Sequence, residues 1–528
     1  MLRSMRWTTS IAVLICLTAC TTGKTDTPSA LIGEATLCGR TISHGQTLAD
    51  IPVEGVEFVL KFTRDVAPTP VGDLYFSGGD VSVERGADSR TLVVRPLGEL
   101  SWFRNYTLAI PAGKAFGVKI PDEYEFSFTT AYDPSDKFPR ISDDELLTLV
   151  QRQTFKYFWD YAHPDCGLAR ERMGSDNTVT IGGSGFGIMC LPVAVERGFV
   201  TRDQAAARLR KIVTFLKDKA DRFHGAYSHW LDGSTGKVVP FGTNDNGGDL
   251  VETSFLVMGL LSAAGYFDAA GEADIRSAID EIWRGVEWDW YTQGKKVLYW
   301  HWSPDKDWAM NMKICGWNEG LMAYVLGASS PTHPVSAEAY HQGWASKGSM
   351  KMTTDGPLFF AHYSFMGLDP HGLKDTYCAD YWAQNVAHAR YNYEYCVRNP
   401  KGHAGYSADS WGLTASDIPG GYTASAPSND RGTIAPTAAV ASYPYLPEES
   451  LRAIRYFYYV LGDKLWGDYG FRDAFNMDKR WFAGSYIAID QGPIVVMIEN
   501  ARSGLLWNCF MKHPDVQKGL AALGFSKK

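Results

Sequence analysis

The chain has 528 residues, and its 51 Lys and Arg against 59 Asp and Glu give a formal net charge of −8. An acidic chain without a basic run excludes nucleic acid as a favoured partner. Beyond the first twenty residues no stretch is apolar for long enough to span a bilayer, so we expect a soluble body.

The N-terminus has the pattern of an export signal. Arg3 and Arg6 precede an apolar segment over residues 11–17, which is too short to cross a membrane. The following Leu17-Thr18-Ala19-Cys20 resembles the lipobox of bacterial lipoproteins. This resemblance implies cleavage before Cys20, acylation of its thiol and a membrane contact through the lipid anchor only. A plain signal peptide is the alternative.

We therefore expect a signal peptide over 1–19, a polar tether over 20–32 and an exported lipoprotein, either periplasmic or associated with the outer membrane. From about 35 to 130 the residues alternate, with Val56, Phe58, Leu60 and Phe62 on one face. Several short strands separated by Gly and Pro predict a small Ig-like β-sandwich over 33–131.

The period then becomes helical. Ser142 and Glu145 form a capping-box pattern ahead of a helix to Trp159, and Thr201 opens a second helix that runs to about Arg222. Later helical stretches are Leu250 to Tyr266, Ala273 to Trp290, Glu319 to Leu326, Lys374 to Val397, Glu448 to Leu461 and Ile487 to Leu506. We predict a mainly α protein whose residues 138–528 form an (α/α)6 barrel. Without a fixed-period repeat, a solenoid is disfavoured.

Carboxylates cluster at the predicted start of one helix. Asp245, Asp249 and Glu252 lie within eight residues, and the intervening Gly-Gly pair places Asp245 on a loop that feeds a helix near Asp249. This spacing predicts acid/base chemistry on a neutral polar substrate such as a sugar. Asp249 as N-cap with Glu252 at N3 is an equally good structural interpretation. A further candidate, Glu319, lies between Trp317 and another predicted helix.

Aromatic residues in Gly-rich loops predict sugar-stacking walls, although for any single Trp a core position is the better interpretation. These candidates are His229, Trp230, Trp300, Trp302, Trp317 and Trp411. The glycines of Gly182-Gly183-Ser184-Gly185-Phe186-Gly187 lack the Lys-Ser/Thr ending of a phosphate loop. They predict close helix packing or a tight cleft wall instead.

Three isolated carboxylates, Asp417, Asp490 and Glu499, are flanked by small or apolar residues. Such surroundings raise the pKa of a carboxyl group, so each is a candidate for the site. A role as cap or buried hydrogen-bond partner is favoured for all three.

Nine cysteines are scattered without a CxxC pair, which predicts neither a zinc site nor a disulfide scaffold. Cys378 and Cys396 are the nearest possible disulfide partners after the leader is removed. The histidines show no metal-binding spacing, and we expect no metal and no cofactor.

Several ordered segments resemble the glucoamylase-like domain and, more closely, glycoside hydrolase family 144. They are Tyr157-Phe158-Trp159-Asp160 with Gly167-Leu168-Ala169-Arg170, Gly248-Asp249-Leu250-Val251-Glu252-Thr253-Ser254-Phe255, His301-Trp302-Ser303-Pro304, Gly316-Trp317-Asn318-Glu319, Gly356-Pro357-Leu358-Phe359-Phe360-Ala361-His362-Tyr363 and Ile489-Asp490-Gln491-Gly492-Pro493. The resemblance implies an (α/α)6 barrel, β-1,2-glucan or its oligosaccharides as substrate, and inversion at the anomeric carbon. It matches the family's acidic residues to Asp245, Asp249, Glu252 and Glu319. Tyr363 and Asp490, which lie in these segments, and Asp417, chosen from its local sequence, are substrate-binding candidates.

An inverting hydrolase needs one carboxyl group as acid and one carboxylate to activate water. We predict Glu319 as the acid and the Asp245–Asp249–Glu252 cluster as the base and hydroxyl-binding group, with exchanged roles left open. The appended sandwich favours an exo-type enzyme releasing sophorose. The alternatives are an endo-acting β-1,2-glucanase, a non-catalytic glycan-binding lipoprotein, and a lyase or isomerase on the same barrel.

Overall fold

The computed structural model describes residues 27–68, 72–345 and 352–527. The predicted signal peptide and Cys20 lie outside these residues. The chain divides into two compact units between Asp133 and Pro134. Within the described ranges, no helix is both long and apolar enough to cross a membrane.

The first unit is a β-sandwich. One sheet has the strand order β2-β1-β4-β7-β6, a second has the order β3-β11-β8-β5, and β9 and β10 form a separate hairpin. Strands β3 and β11 pair in parallel, and the other strand pairs described in this unit are antiparallel. The strands are β1 Ile32–Leu37, β2 Arg40–Thr41, β3 Thr47–Ile51, β4 Phe58–Phe62, β5 Tyr75–Phe76, β6 Val81–Arg85, β7 Thr91–Pro96, β8 Asn105–Ile110, β9 Gly113–Ala115, β10 Val118–Ile120 and β11 Tyr124–Thr130.

A single apolar core lies between the two sheets of this unit. The side chains of Phe58, Leu60 and Phe62 are buried while Lys61 is exposed, so the alternation predicted for β4 is confirmed. The rings of Phe58 and Phe128 belong to different sheets, and their centroids lie 5.8 Å apart. The sandwich therefore follows from strands that each bury one face.

The second unit is helical. Its helices are α1 Asp143–Trp159, α2 Ile181–Glu196, α3 Arg202–Asp218, α4 Leu250–Tyr266, α5 Ala273–Arg284, α6 Leu321–Ser329, α7 Ala337–Ala345, α8 Phe359–His362, α9 Tyr381–Arg398, α10 Pro436–Ala441, α11 Pro447–Arg455, α12 Gly462–Leu465, α13 Ala488–Ser503, α14 Leu505–Met511 and α15 Pro514–Ala522. Its short strands are β12 Thr178–Thr180, β13 Arg222–Phe223, β14 Ala226–Tyr227, β15 Trp230–Asp232, β16 Val238–Val239, β17 Gly248–Asp249, β18 His301–Trp302, β19 Leu373–Lys374, β20 Ala415–Ile418, β21 Gly421–Ala424, β22 Trp466–Gly467, β23 Gly470–Phe471, β24 Phe475–Asn476, β25 Trp481–Phe482 and β26 Ser526–Lys527.

Burial alternates along this order of helices. Nearly every residue of α2, α4, α6, α10 and α13 is buried, whereas α1, α3, α5, α9 and α11 bury one face only. Helices buried on all sides form an inner ring and amphipathic helices cover it. This arrangement is the predicted (α/α)6 barrel, and the fold class is confirmed.

Several predicted helix ends differ from the observed ones. Helix α5 ends at Arg284 because Gly285 forms its C-cap, not at Trp290. Helix α9 begins after Asp380, whose side chain accepts the Ala383 N–H, and not at Lys374. Both capping boxes, at Ser142 and Thr201, are confirmed. Cys378 and Cys396 are free, buried thiols, so the suggested disulfide does not form.

The glycine-rich segment begins the inner helix α2, which packs closely against α4. A Cβ atom on Gly185 would lie 2.3 Å from the Phe255 carbonyl oxygen, and one on Gly259 would lie 2.1 Å from the Gly185 carbonyl oxygen. Such distances are far inside van der Waals contact, so only glycine fits. The prediction of close helix packing is confirmed.

We expect Gly185→Ala to lower the free energy of unfolding by about 1–3 kcal/mol, because the added methyl group overpacks a backbone contact. The free energy is measured by denaturant titration of the full chain. Gly271→Ala is the matched control, since nothing lies within 4 Å of its Cβ position. Equal unfolding midpoints for the two variants would contradict the packing argument.

Candidate active site

A cavity of about 410 Å³ opens at the N-terminal ends of the inner helices. Residues at or near the starts of α2, α4, α6, α8 and α13 line it, and these ends favour negative charge through the helix dipole. The lining residues are Glu171, Arg172, Thr180, His229, Trp230, Phe241, Val251, Glu252, Phe255, Trp300, Glu319, Phe359, Tyr363, Ala415, Tyr422, Ala424, Ile487 and Ile489.

Glu252 lies in the first turn of α4 and faces the cavity. The backbone N–H of Gly182 donates to its Oε2 over 2.7 Å. Burial raises the pKa of Glu252, the positive charge of His229 acts against this rise, and the carboxylate of Asp249 adds to it. The absence of a side chain at Gly182 allows this contact, since a Cβ there would lie 2.5 Å from Glu252 Oε2.

Asp249 is the N-cap of α4, so the capping interpretation of this residue is confirmed. Its Oδ1 accepts the N–H groups of Val251 and Glu252 at 3.0 and 2.9 Å. Its Oδ2 accepts from His229 Nδ1 and from Trp300 Nε1, each at 3.1 Å. Asp249 is fully buried. It therefore orients two residues of the cavity wall while capping the helix.

His229 lies among the acidic groups. Burial alone would lower its pKa, but the carboxylates of Glu252, Asp249 and Asp245 outweigh burial and raise it to about 9. The Phe241 ring stacks on the imidazole with centroids 4.0 Å apart. At neutral pH His229 is thus a cation that partly compensates the cluster.

Asp245 lies on the loop before α4, as predicted, but it does not line the cavity. It is 6% exposed, and among the described residues its Oδ1 has no hydrogen-bond partner. That oxygen lies 3.8 Å from His301 Nε2. Burial and the charge of Asp249 raise the pKa of Asp245 to about 7.

Glu319 stands just before α6 and reaches the same cavity. Burial raises its pKa to about 7, and the charges of Glu252 and Asp249 add to the rise. A carboxyl group with this pKa holds a proton at neutral pH in a large fraction of molecules, as a general acid requires. Glu319 and Glu252 thus line one cavity, whereas Asp249 and Asp245 lie close to Glu252 without lining it.

Donor atoms of His229, Asp245 and Asp249 lie within 4.8 Å of one another, a spacing that a metal ion could bridge. His229 and Asp249 are already joined by a hydrogen bond, and the surrounding carboxylates raise the pKa of His229, so a metal ion would have to displace a proton there. We assign no metal to these residues.

The predicted aromatic walls divide into two groups. Trp230, Trp300 and Tyr363 line the cavity with His229, whereas Trp302 does not. Trp317 and Trp411 are 2% and 0% exposed and pack in the helical core, so the expectation that they stack on substrate is corrected. Trp317 contacts Phe365 and Tyr381, and Trp411 donates to the Glu449 carbonyl.

A second acidic group lies behind another part of the cavity wall. Arg172 lines the cavity and pairs with Asp417 at 2.9 Å, so Asp417 supports this guanidinium group and is not itself a lining residue. The side chain of Asp473 accepts a hydrogen bond from the backbone N–H of Asp417. Asp490 interacts with Asp473 and accepts a hydrogen bond from the Tyr363 hydroxyl over 3.5 Å.

Asp473 and Asp490 are both buried. Asp473 Oδ1 and Asp490 Oδ2 have no donor among the described residues. Burial raises the pKa of both groups; the charge of Asp417 adds to the rise for Asp473, and the charge of Asp473 adds to the rise for Asp490. The pair therefore holds a shared proton at neutral pH. Glu499, in contrast, pairs with Arg197 at 2.7 Å and lines no part of the cavity.

Sequence reasoning missed Arg172, Phe241, Tyr422 and Asp473. Arg172 lies two residues after Gly167-Leu168-Ala169-Arg170, one of the segments that carry the family resemblance. That position in the sequence could have indicated that Arg172 lies near the site. Tyr422 lies on the β20–β21 hairpin and Asp473 in a loop, and neither has a periodic pattern that could have revealed it.

Glu319→Gln should stabilise the fold at pH 8 relative to wild type and have little effect near pH 4. Because the folded pKa of Glu319 is raised above its unfolded value, its stabilising contribution is present below about pH 4.5 and lost as pH rises through 7. The neutral amide does not ionise. Melting temperatures of both proteins between pH 4 and 8 measure this. A constant difference across the range would contradict the assigned shift.

An (α/α)6 barrel with carboxyl groups and aromatic rings around one cavity defines a carbohydrate-active protein. A family model described as "Putative glucoamylase" matches residues 311–514. The "Exo beta-1,2-glucooligosaccharide sophorohydrolase (non-reducing end)" of Parabacteroides distasonis is 47% identical over 418 residues, covering 72% of this chain and 58% of that protein. This chain thus spans little more than half of that curated relative.

Two solved structures are also similar. An endo-β-1,2-glucanase from Chitinophaga pinensis is 51% identical with a TM-score of 0.71, covering 74% of this chain and 99% of that one. A β-1,2-glucanase from Parabacteroides distasonis is 39% identical with a TM-score of 0.71, covering 94% and 74%. The chain belongs to the glucoamylase-like family, in its glycoside hydrolase family 144 type.

Proposed function

We propose that the protein is an inverting glycoside hydrolase that cleaves β-1,2-glucan or its oligosaccharides and releases sophorose. The observation that carries the proposal is the convergence of Glu319 and Glu252 on one cavity, with Asp249 and Asp245 behind Glu252. Relatives named for β-1,2-glucan hydrolysis share this domain over most of its length.

In this mechanism Glu319 is the acid. Its protonated carboxyl group donates to the glycosidic oxygen as the bond to the anomeric carbon breaks. A carboxylate of the Glu252 cluster takes a proton from the water that attacks the opposite face, which inverts the β configuration to α. His229 stays protonated and limits the repulsion among the acidic groups. Trp230 and Trp300 offer ring faces to the sugar.

The exo mode is supported by the 47% identity to the protein named an exo-acting sophorohydrolase. The match to the Parabacteroides distasonis structure covers 94% of this chain, more than the helical unit alone can supply. The match to the Chitinophaga pinensis endo-glucanase covers 74%. The β-1,2-glucanase structure from Parabacteroides distasonis therefore shares a β-rich unit with this chain in addition to the barrel. Endo cleavage by this chain is the alternative.

Product analysis tests the proposal. Purified protein is incubated with linear β-1,2-glucan, the products are separated by chromatography, and the new reducing ends are followed by NMR. We expect sophorose from the earliest times, formed as the α-anomer. A ladder of longer oligosaccharides would indicate endo action. Binding without cleavage would leave a glycan-binding protein, and an ultraviolet-absorbing product would indicate a lyase.

We further infer that the protein is exported and tethered by a lipid on Cys20, with an Ig-like module between the tether and the barrel. The lipobox-like Leu17-Thr18-Ala19-Cys20 and the sandwich topology support this inference. Wild type should partition into detergent after membrane extraction, and Cys20→Ser should not. The same partition for both proteins would exclude the lipid anchor.

A further inference from the structure

A second cleft, of about 570 Å³, lies in the helical unit, and none of its lining residues lines the candidate active site. We call it the tryptophan cleft; it is lined chiefly by Trp290, Trp308, Glu287, Asp289, Gln293 and His333. The proposed chemistry uses none of these side chains.

The ring of Trp290 is held rigidly and remains accessible. It is 40% exposed, and the imidazole of His224 stacks on it with centroids 3.7 Å apart and planes 14° apart. The edge of Trp302 meets it at 90°, and Trp308 lies 6.4 Å away at 32°. A fixed, exposed indole is costly in water unless a ligand covers it, and it binds with little loss of conformational entropy.

Carboxylates accompany the rings. Glu287 Oε2 accepts from His224 Nδ1 at 2.8 Å, and Asp289 Oδ1 accepts from His333 Nδ1 at 3.1 Å. The side chains of Glu287 and Asp289 are 39% and 56% exposed, so their remaining oxygens can accept hydrogen bonds from a ligand. No Lys or Arg lines the cleft, which disfavours phosphate, nucleic acid or acidic polysaccharide. Aromatic faces with carboxylate acceptors fit a neutral saccharide.

Strand β18 contacts residues of both the tryptophan cleft and the candidate active site. Trp302 contacts His224 and Trp290 on the cleft side, and it pairs with Gly248 in the β17–β18 ladder. His301 of the same strand pairs with Asp249, and the preceding Trp300 lines the cavity. A saccharide too long for the cavity would have to pass this strand to reach Trp290.

We propose that the tryptophan cleft is a second saccharide-binding site that holds glucosyl residues of a long glucan away from the bond that is cleaved. The identity of the sugar rests on the proposed function. The cleft adds affinity for long chains and leaves the chemical step unchanged.

The test compares Trp290→Ala, Trp308→Ala and wild type on long β-1,2-glucan and on a short β-1,2-glucooligosaccharide. KM for the long substrate should rise roughly 2- to 10-fold, the range that one lost aromatic contact represents, with kcat and the short-substrate KM unchanged. Tyr391→Ala, which removes a ring 36% exposed on α9, is the matched control. Melting temperatures identify a variant that fails to fold. If one tryptophan variant fails to fold, KM of the other tryptophan variant tests the proposal.

Unchanged KM for long glucan in both folded variants, with wild type active, would overturn the cleft proposal and leave the hydrolase proposal intact. If wild type cleaves no β-1,2-glucan, calorimetric titration with a series of neutral glucans decides the matter separately. Binding that Trp290→Ala removes would support the cleft, whereas no binding of any neutral glucan, or binding of a peptide library instead, would overturn it.

Discussion

Glu319→Gln should lower the rate of β-1,2-glucan hydrolysis by at least about 10²-fold, the lower end of what general acid catalysis contributes. The amide keeps the shape of the side chain but cannot donate an acidic proton to the glycosidic oxygen. Because Glu319 is largely surrounded by protein and has a raised pKa, the substitution should not destabilise the fold at neutral pH. Turnover and melting temperature are measured on the same preparation.

Glu281→Gln is the control for this substitution. It makes the same chemical change at a side chain that is 61% exposed on α5. Near-wild-type turnover is expected for it, since exposed ion pairs contribute little. If Glu319→Gln also kept wild-type turnover, the acid would have to be sought at Glu252 or Asp245, whose pKa values are raised as well.

Asp249→Ala should reduce both stability and activity, and Asp249→Asn should separate the two effects. Alanine leaves the first N–H groups of α4 without their cap, at a cost of about 0.5–2 kcal/mol, and removes the partner of His229 and Trp300. Asparagine can still accept the backbone hydrogen bonds through its Oδ1. It removes a negative charge that helps to keep His229 protonated.

We expect Asp249→Asn to retain most of the stability and to lose activity on the order of 10²-fold, as for other positioned acid/base groups. The measurements are denaturant unfolding and turnover, together with the His229 titration by NMR, whose pKa should fall. A variant with full activity and reduced stability would restrict Asp249 to capping.

The sequence predicts best where local chemistry dominates. The capping residues Ser142, Thr201 and Asp249 each start a helix where expected, because a side chain that accepts backbone N–H groups is a local signal. The same logic located Glu252 in a first turn. The alternation of apolar and polar residues in β4 was equally predictable, since one face of that strand is buried.

Helix α2 was not predicted as a helix because it is buried on all sides. Its sixteen residues include all four glycines of the motif around Ser184 and also Pro192, and they show no amphipathic period. Trp317 and Trp411 were misplaced for a related reason: a Trp in the sequence carries no signal that separates core from cavity. Asp473 was missed because its surroundings are formed by Asp417 and Asp490, which are distant from it in the sequence.

The contact between Gly185 and Gly259 has a consequence for the range of substrates that this barrel can accommodate. At that point the distance between α2 and α4 is set by main-chain atoms, and no substitution can make them smaller. Both helices begin at the cavity, so their spacing behind it does not depend on the size of a side chain at this contact. We therefore expect substitutions that alter substrate size to act through the connecting segments around Trp230, Phe241 and Tyr422, which line the cavity.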